Sequence, residues 1–273
     1  MNMASPRIIV VDWSGDRTIS NQRKKIWIAD WSENNVSLTS GRTRDETAEY
    51  LVAAAVDTPN LIAGLDFAFS FPAWFVRMQG CERAEEFWAL VANGKGEEWL
   101  SQANAFCWGR KGSRRPDHHR APAWQGFRQT DRKFNGQLNG IQPKSPFQIG
   151  GAGAVGTGSL RGIPILRELR RAGFSIWPFT ATGFPVALEI YPRLFTGPGN
   201  KSSEAFRIAH LRRPEYTFLP EDVLAHARGS EDAFDALCSV LGMREHARDF
   251  ASLHQATDPV RLLEGEIWTP HMI

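Results

Sequence analysis

The fold of this chain is decided by the stretch Arg7-Ile8-Ile9-Val10-Val11-Asp12-Trp13-Ser14-Gly15. Ile and Val are β-branched, and a short apolar run that ends at Ser-Gly is typical of a buried central strand. The run ends on Asp12, and a carboxylate at the exit of a buried strand is costly to desolvate unless a cation or a metal ion pairs with it. Asp12 is therefore the first candidate functional residue. Its alternative role is to cap the following turn through its side chain.

A second apolar run, Leu61-Ile62-Ala63-Gly64-Leu65, leads to a second carboxylate, Asp66. Between the two runs, the sequence pattern predicts a polar hairpin turn, then two strands, then a helix, at Asn21–Lys25, Ile26–Trp31, Val36–Thr39 and Thr43–Ala55. The order strand, helix, strand indicates a crossover to a parallel neighbour, which brings Asp12 and Asp66 to one edge of the sheet. Like charges that close need a cation between them or must keep a proton.

A third acid lies inside a predicted strand. Two short strands are predicted at Phe174–Phe179 and Pro185–Pro192, and Glu189 is within the second, where an unpaired acid is expensive. Glu189 is therefore a third candidate. The structural alternative is that it pairs with Lys201 or Arg193.

Two further acids begin a late helix. Ser230 is a good N-cap for a helix whose apolar residues recur at three- and four-residue spacing. Asp232 and Asp235 are three residues apart, so they are neighbours on one face of its first turn. An acid in that turn also interacts favourably with the helix dipole, which is a structural explanation for Asp232. Asp235 lies further along the helix, so an interaction with the helix dipole explains this acid less well.

Basic residues are concentrated in one segment. Between Cys107 and Lys133, eight Lys or Arg residues stand against two Asp residues, whereas the net charge of the whole chain is +2. From 103 to 159 the regular hydrophobic pattern gives way to Gly, Pro, Asn, Gln and basic residues, and a loop of this length is usually functional or mobile. We interpret 103–159 as a basic insertion within a single domain that spans 1–273.

The composition of this insertion suits nucleic acid. Arginines neutralise phosphates, and exposed aromatic rings such as Trp108, Trp124 and Phe127 can stack on unpaired bases, so single-stranded or distorted nucleic acid is the expected partner. The alternative is a solvated loop whose aromatic rings pack onto the body of the protein. The predicted substrate-binding residues are Arg110, Lys111, Arg114, Arg115, Arg120, Trp124 and Arg128.

A glycine-rich run, Gly150–Ser159, ends the insertion and precedes a helix predicted at Leu160–Ala172. Backbone amides there can hold a phosphate at the helix N-terminus. The run lacks the Gly-Lys-Ser/Thr end of a P-loop, so a hinge is the favoured interpretation.

Length and composition restrict the class of protein. A chain of 273 residues that is 42% hydrophobic can bury a substantial core. No apolar run approaches the roughly 18 residues that span a bilayer, and the N-terminus lacks a signal-peptide pattern, so a cytoplasmic location without a membrane partner is expected. The three cysteines are far apart and have no C-x-x-C spacing, which predicts neither a disulfide framework nor a cysteine zinc site.

Together the acids predict an oxygen-only cluster. Hard oxygen ligands suit Mg²⁺ or Mn²⁺ rather than zinc. Two such ions about 3.5–4 Å apart stabilise the attacking and leaving oxygens of an in-line phosphoryl displacement. Hydrolysis of phosphodiester bonds is the chemistry that this pattern favours.

The order of elements and acids resembles the ribonuclease H-like superfamily, an α/β class with a mixed five-stranded sheet flanked by helices. The short motifs that carry the resemblance are similar to those of a predicted RNase H-like nuclease family, long catalogued as a domain of unknown function. They are Val11-Asp12-Trp13-Ser14-Gly15, Gly64-Leu65-Asp66-Phe67-Ala68-Phe69-Ser70-Phe71-Pro72, Glu189-Ile190-Tyr191-Pro192 and Asp232-Ala233-Phe234-Asp235-Ala236-Leu237. The resemblance covers nearly the whole chain apart from the basic insertion.

The resemblance implies a metal-dependent nuclease in which Asp12, Asp66 and one or both of Asp232 and Asp235 coordinate the metal. Our leading hypothesis is that Asp12 and Asp66 hold the ions and that Asp235, helped by Asp232, completes the site. Glu189 matches a family motif and is included in the predicted catalytic set. The first long helix departs from ribonuclease H itself, because its acids fit a solvated face and offer no obvious catalytic Glu. Cleavage of RNA–DNA hybrids is therefore not predicted specifically.

Two other functions are compatible with the sequence. The turn after Asp12 and the Gly150–Gly158 run can be interpreted as the phosphate-binding turns of an ATP-dependent phosphotransferase of the actin and sugar-kinase superfamily. A non-catalytic nucleic-acid-binding protein would use the basic insertion and have structural acids. A zinc site at His118 and His119 is disfavoured, because adjacent residues rarely converge on one ion and Cys107 is the only nearby thiol.

Overall fold

A computed structural model describes residues 6–33, 35–101, 105–110, 113–121, 125–134, 142–151 and 153–270. Lys111 and Trp124, two of the predicted substrate-binding residues, lie outside these ranges. Within them, no helix combines the length and the apolar character needed to cross a membrane.

The described strands form one mixed sheet. They are β1 (Ile8–Asp12), β2 (Trp27–Ser32), β3 (Asn35–Thr39), β4 (Ile62–Leu65), β5 (Ser175–Ile176) and β6 (Val186–Glu189), in the spatial order β3-β2-β1-β4-β6-β5. The first three form an antiparallel meander, and β4, β6 and β5 continue the sheet in parallel. The α/β class is confirmed. The sheet has six strands, one for each strand predicted along the chain, whereas the family resemblance implies five.

The α-helices lie between and after the strands. They are α1 (Ile19–Lys25), α2 (Arg44–Asp57), α3 (Ala73–Met78), α4 (Ala84–Leu90), α5 (Gly96–Ser101), α6 (Gln129–Lys133), α7 (Gly156–Arg171), α8 (Arg193–Thr196), α9 (Glu204–Leu211), α10 (Glu221–Gly229), α11 (Glu231–Glu245) and α12 (Arg261–Glu264). Shorter helical turns are a π-type turn at Val91–Lys95 and 3₁₀ turns at Asp117–Arg120, Pro214–Tyr216 and Asp249–Ser252.

The sheet separates two hydrophobic cores because side chains alternate along each strand. In β1, Ile9 and Val11 face the core that α2 and α7 cover, whereas Ile8 and Val10 face the core that α10 and α11 cover. The central strand is therefore buried on both faces, as its continuous apolar sequence predicts. The direction of each acidic side chain likewise depends on which face of the sheet its residue occupies.

Helix starts follow the predicted capping residues. Thr43 forms a reciprocal capping box with Glu46, whose backbone N–H donates to the Thr43 hydroxyl at 3.2 Å. Ser230 accepts from the Ala233 N–H at 3.2 Å. Each cap satisfies a backbone donor that the first turn leaves free, so both predicted starts are confirmed.

Two predicted local structures are wrong. The polar run Asn21–Lys25 belongs to α1 rather than to a hairpin turn, because Gln22 turns inward and its side chain accepts from the Arg44 N–H at 3.2 Å. Helix α7 begins at Gly156 rather than at Leu160, and the Gly156 N–H donates to the Gln148 carbonyl at 2.9 Å. The end of the glycine-rich run, Gly156–Ser159, thus forms the first turn of α7.

Candidate functional site

The strand register places Asp12 and Asp66 side by side. Val11 of β1 lies opposite Leu65 of β4, and the Asp66 N–H donates to the Val11 carbonyl at 3.1 Å. Asp12 follows Val11 and therefore shares the sheet face of Ile8 and Val10, the side that α11 covers. The predicted neighbourhood of the two strand-end carboxylates is confirmed.

Helix α11 brings the other two acids to this face. Asp235 is buried with 1% of its surface exposed, and Asp232 is half-buried one turn earlier. Gly64 of β4 allows the helix to approach, because a Cβ at that position would lie 2.6 Å from the Met243 sulfur. We refer to Asp12, Asp66, Asp232 and Asp235 as the acid cluster.

A lysine that sequence reasoning did not connect with these acids belongs to the same site. The Lys201 ammonium donates to Asp235 Oδ2, and its side chain is 27% exposed. Lys201 is 34 residues from Asp235, so no local spacing links the two. From the sequence, Lys201 is predicted only as a possible partner of Glu189.

The pKa values of the acid cluster are raised. Burial, and then the neighbouring Asp66, Asp235 and Asp232, hold the pKa of Asp12 well above its ordinary value. Burial raises the pKa of Asp66 to about 7 and that of Asp235 to about 6, against the opposing charge of Lys201. For Lys201, burial lowers the pKa, but Asp235 and Asp12 outweigh it and raise the pKa overall.

Several oxygens of the cluster lack a hydrogen-bond donor. Among the described residues, none donates to the carboxylates of Asp12 or Asp66, and Asp235 Oδ1 is buried without a partner. Buried polar atoms are normally satisfied. Once these acids are ionised, their oxygens without donors are ligands of the kind that a hard cation requires.

This donor set fits Mg²⁺ or Mn²⁺ by chemistry, since it consists only of oxygens. As the described side chains stand, no three Asp, Glu, His or Cys residues are arranged to hold a metal ion. The cation that contacts Asp235 is the Lys201 ammonium. A metal ion would thus share the cluster with a resident positive charge.

Glu189 points to the other face of the sheet. It lies opposite Leu65 in the register, so it alternates with Val186 and Leu188 and faces away from the α11 side. Its carboxylate accepts from Arg128 Nη2 at 2.5 Å and Nη1 at 2.7 Å. The alternative partners Lys201 and Arg193 are therefore wrong for Glu189, and the ion pair with Arg128 explains the buried acid.

Arg128, which the sequence predicts to bind substrate, is held in a buried network of ion pairs. It is 2% exposed, and Asp131 and Glu189 neutralise it from two sides. Burial lowers its pKa, but the carboxylates of Asp131 and Glu189 outweigh burial and raise it. Arg128, Asp131 and Glu189 also line the cleft that contains Asp66, so the substrate-binding role of Arg128 stays a prediction.

A cleft of about 480 Å³ opens beside the acid cluster. Asp66 lies in its wall together with the turn Trp13–Asp16, the start of α7, Lys144 and Tyr191. The phenol oxygen of Tyr191 donates to the Gln142 carbonyl at 3.1 Å, which ties this wall to the insertion.

The other basic residues of the insertion lie away from the cleft wall. The side chains of Arg110, Arg114 and Arg120 are exposed, and none of them lines the cleft. Arg115 lies over the rings of Trp108 and Phe127 at 5.7 Å and 5.1 Å. Trp108 is 9% exposed and packs in the core, so packing onto the body is confirmed for this ring.

Comparison of the chain with family models, with curated proteins and with solved structures gave no match. The functional inference therefore rests on the acid cluster, Lys201 and the cleft.

Proposed function

We propose that this chain is a metal-dependent nuclease in which Asp12, Asp66 and Asp235 hold Mg²⁺ or Mn²⁺. The observation that supports it is the meeting of carboxylates from three distant parts of the chain at the ends of two adjacent parallel strands. Such a concentration of buried like charge is expensive unless a cation offsets it. The resemblance to RNase H-like nucleases, with its two-ion mechanism, agrees with this proposal and stays a prediction.

The chain's own residues have separable tasks in this proposal. Asp12 and Asp66 bind on the strand side, and Asp235 binds from the helix side. Bound there, a divalent ion supplies Lewis acidity and lowers the pKa of a water ligand. Asp232, half-buried one turn earlier in α11, would assist Asp235 in completing the site.

Nucleic acid is the proposed substrate class. Lys144 lies in the cleft wall next to Gly153 and presents a cation to a phosphate. The exposed Arg110, Arg114 and Arg120 extend the positive surface outside the cleft. Contacts of this kind neutralise a phosphate backbone without reading its sequence.

The test is cleavage of labelled single-stranded DNA, RNA, hybrid and branched substrates with Mg²⁺ or Mn²⁺. We expect cleavage by the wild type and its loss in Asp12→Asn, because the amide cannot replace the carboxylate as an anionic ligand. Asp57→Asn is the matched control, since Asp57 is exposed at the end of α2. Equal cleavage by the wild type and Asp12→Asn would refute the proposal. Salt-sensitive binding that survives Asp12→Asn without cleavage would instead favour a non-catalytic binding protein.

One observation favours an ATP-dependent phosphotransferase as a second candidate. The two glycine turns meet, since a Cβ on Gly15 would lie 2.5 Å from the Gly158 nitrogen. Arg44 binds the carbonyls of Ser14 and Asp16 at 3.1 Å and 2.7 Å, which leaves amide groups of the turn on the opposite side. Calorimetry with Mg-ATP tests this candidate function. Tight binding of ATP would favour the phosphotransferase, and no binding of ATP would refute it and favour the nuclease.

A further inference from the structure

Two arginines hold the turn after Asp12 from behind. Arg44 Nη1 donates to the carbonyls of Ser14 and Asp16 at 3.1 Å and 2.7 Å. Arg161 Nη1 donates to the carbonyl of Gly15, between them, at 2.6 Å. Burial, and then the nearby charge of Arg161, lower the pKa of Arg44. Three successive carbonyls are thus fixed on the side of two positive charges.

The first turn of α7 lies against this turn and is uncapped. A Cβ on Gly15 would lie 2.5 Å from the Gly158 nitrogen, so the close approach requires glycine at position 15. No side chain caps α7, and its first turn contains no acid. Among the described residues, none accepts a hydrogen bond from the backbone N–H groups of Gly15, Thr157 or Gly158. All three residues line the cleft, so their amides are donors that lack an acceptor there.

A buried side chain supplies a further donor at the same place. Trp13 lines the cleft and is 8% exposed, and its indole Nε1 has no partner among the described residues. The position that a Cβ of Gly158 would take is 3.9 Å from both the Gly15 nitrogen and Trp13 Cδ1, which is bonded to Nε1. Outside α7, no other described atom lies within 4 Å of this position. Buried polar atoms are normally satisfied, so Nε1 and the Gly15 amide border an open space that calls for an acceptor.

The charges around this space favour an anion. Lys144 and Lys25 line the cleft, and Lys25 pairs with Asp16 at 2.9 Å. The acids Asp131 and Glu189 of the cleft are paired with Arg128. Phosphate presents several oxygens to donors that approach from different sides, and uncapped helix N-termini bind it readily.

We propose that Trp13 Nε1, the Gly15 amide and the first-turn amides of α7 bind one phosphate group of a nucleic acid strand. Asp66 lines the same cleft, so a strand held at this turn can extend to the acid cluster. The phosphate site itself needs no metal ion. Its assignment to nucleic acid rests on the proposed nuclease function.

The test measures binding of inorganic phosphate to the full chain in EDTA by calorimetry. Gly158→Ala places a methyl group between Trp13 and Gly15, where the chain has room for it but a phosphate oxygen would be excluded. We expect an unchanged Tm and phosphate binding weaker by about tenfold or more. Trp13→Phe removes one charge-assisted hydrogen bond and should weaken phosphate binding about tenfold.

Gly229→Ala is the matched control. Gly229 ends α10, does not line the cleft, and has no atom within 4 Å of the position of a Cβ. This variant should bind phosphate like the wild type.

Labelled single-stranded DNA and ATP, each without metal, distinguish two sources of the phosphate group. We expect Gly158→Ala to weaken the binding of DNA. Weaker binding of ATP together with unchanged binding of DNA would overturn the assignment to nucleic acid.

Equal phosphate binding by the wild type and folded Gly158→Ala would overturn the site. Absence of phosphate binding by the wild type would overturn it too, and this result decides even if the variants do not fold. Cleavage with Mn²⁺ is measured separately. Loss of phosphate binding in Gly158→Ala without any cleavage by the wild type would support the site and refute the nuclease, whereas cleavage with unchanged phosphate binding would refute only the site.

Discussion

Replacing Asp66 by Asn should stabilise the metal-free protein at alkaline pH. Asp66 is half-buried, accepts no hydrogen bond within the described chain, and lies beside Asp12 and Asp235. Folding therefore places a carboxylate where its charge is disfavoured. Asn has nearly the same shape and no charge, so the substitution removes that cost.

The size of the effect follows from the pKa. Asp66 titrates at about 7 in the folded chain against an ordinary 3.8, and each pKa unit is worth about 1.4 kcal/mol. The folded state binds more protons than the unfolded state between these values, so this group's contribution to stability falls as pH rises from about 4 to about 7. Above pH 7 the full loss is about 4 kcal/mol, and sharing of protons with Asp12 and Asp235 reduces it to about 2–4 kcal/mol.

Thermal unfolding in EDTA at pH 5 and pH 8 measures this prediction. At pH 8, Asp66→Asn should raise Tm by about 4–10 °C for a domain of this size, and at pH 5, where only about a third of the loss has occurred, the increase should be about a third as large. Asp30→Asn is the matched control. Asp30 is also a buried strand acid, but Arg7 donates to it at 2.6 Å and 3.0 Å, so its loss should destabilise the protein at both pH values.

A lower Tm of Asp66→Asn at pH 8 would refute the reasoning. An increase of equal size at pH 5 and pH 8 would do so too, because it would show that ionisation of the carboxyl is not the cause.

Three further predictions concern other parts of the site. Arg128→Met should lower the free energy of unfolding by about 3–5 kcal/mol in urea titrations, because it leaves Glu189 buried and unpaired; a change below 1 kcal/mol would contradict the ion-pair assignment. Gly15→Ala should lower Tm in thermal unfolding. Gly158→Ala should not, since the atoms nearest to a Cβ at position 158 are 3.9 Å away. Equal effects of the two substitutions on Tm would count against the contact between the two turns. Mn²⁺ binding at pH 6.5 should release protons, because the pKa of Asp66 is about 7 and the metal needs the carboxylate. Calorimetry in buffers of different ionisation enthalpy measures the number of protons released. Binding heats that do not depend on the buffer would contradict this prediction.

The acids at the strand ends could be predicted because the signal is local. An apolar run that stops on a carboxylate marks the exit of a buried strand, and the crossover rule puts two such exits next to each other. The N-cap at Ser230 likewise fixed the start of α11, and with it the depth of Asp235. These features need only short stretches of sequence and general rules of topology.

The orientation of Glu189 could not be predicted from local sequence signals. Which face a strand residue occupies depends on the register with its neighbour, and a shift of one residue reverses the result. Leu65, not Asp66, lies opposite Glu189, so the acid joined Arg128 on the other face. Lys201 and Arg128 were missed as partners because they are 34 and 61 residues from the acids that they bind, and only the complete fold brings them together.

The tethered cation beside Asp235 has a consequence for how the protein is made. Structural zinc domains stay unfolded until the metal arrives, because the metal site does not exist in the unfolded chain and metal binding supplies the free energy of folding. Here the chain itself supplies a counter-ion, because the Lys201 ammonium contacts Asp235 of α11. A positively charged partner for this buried carboxylate is therefore present in the folded chain without any metal ion.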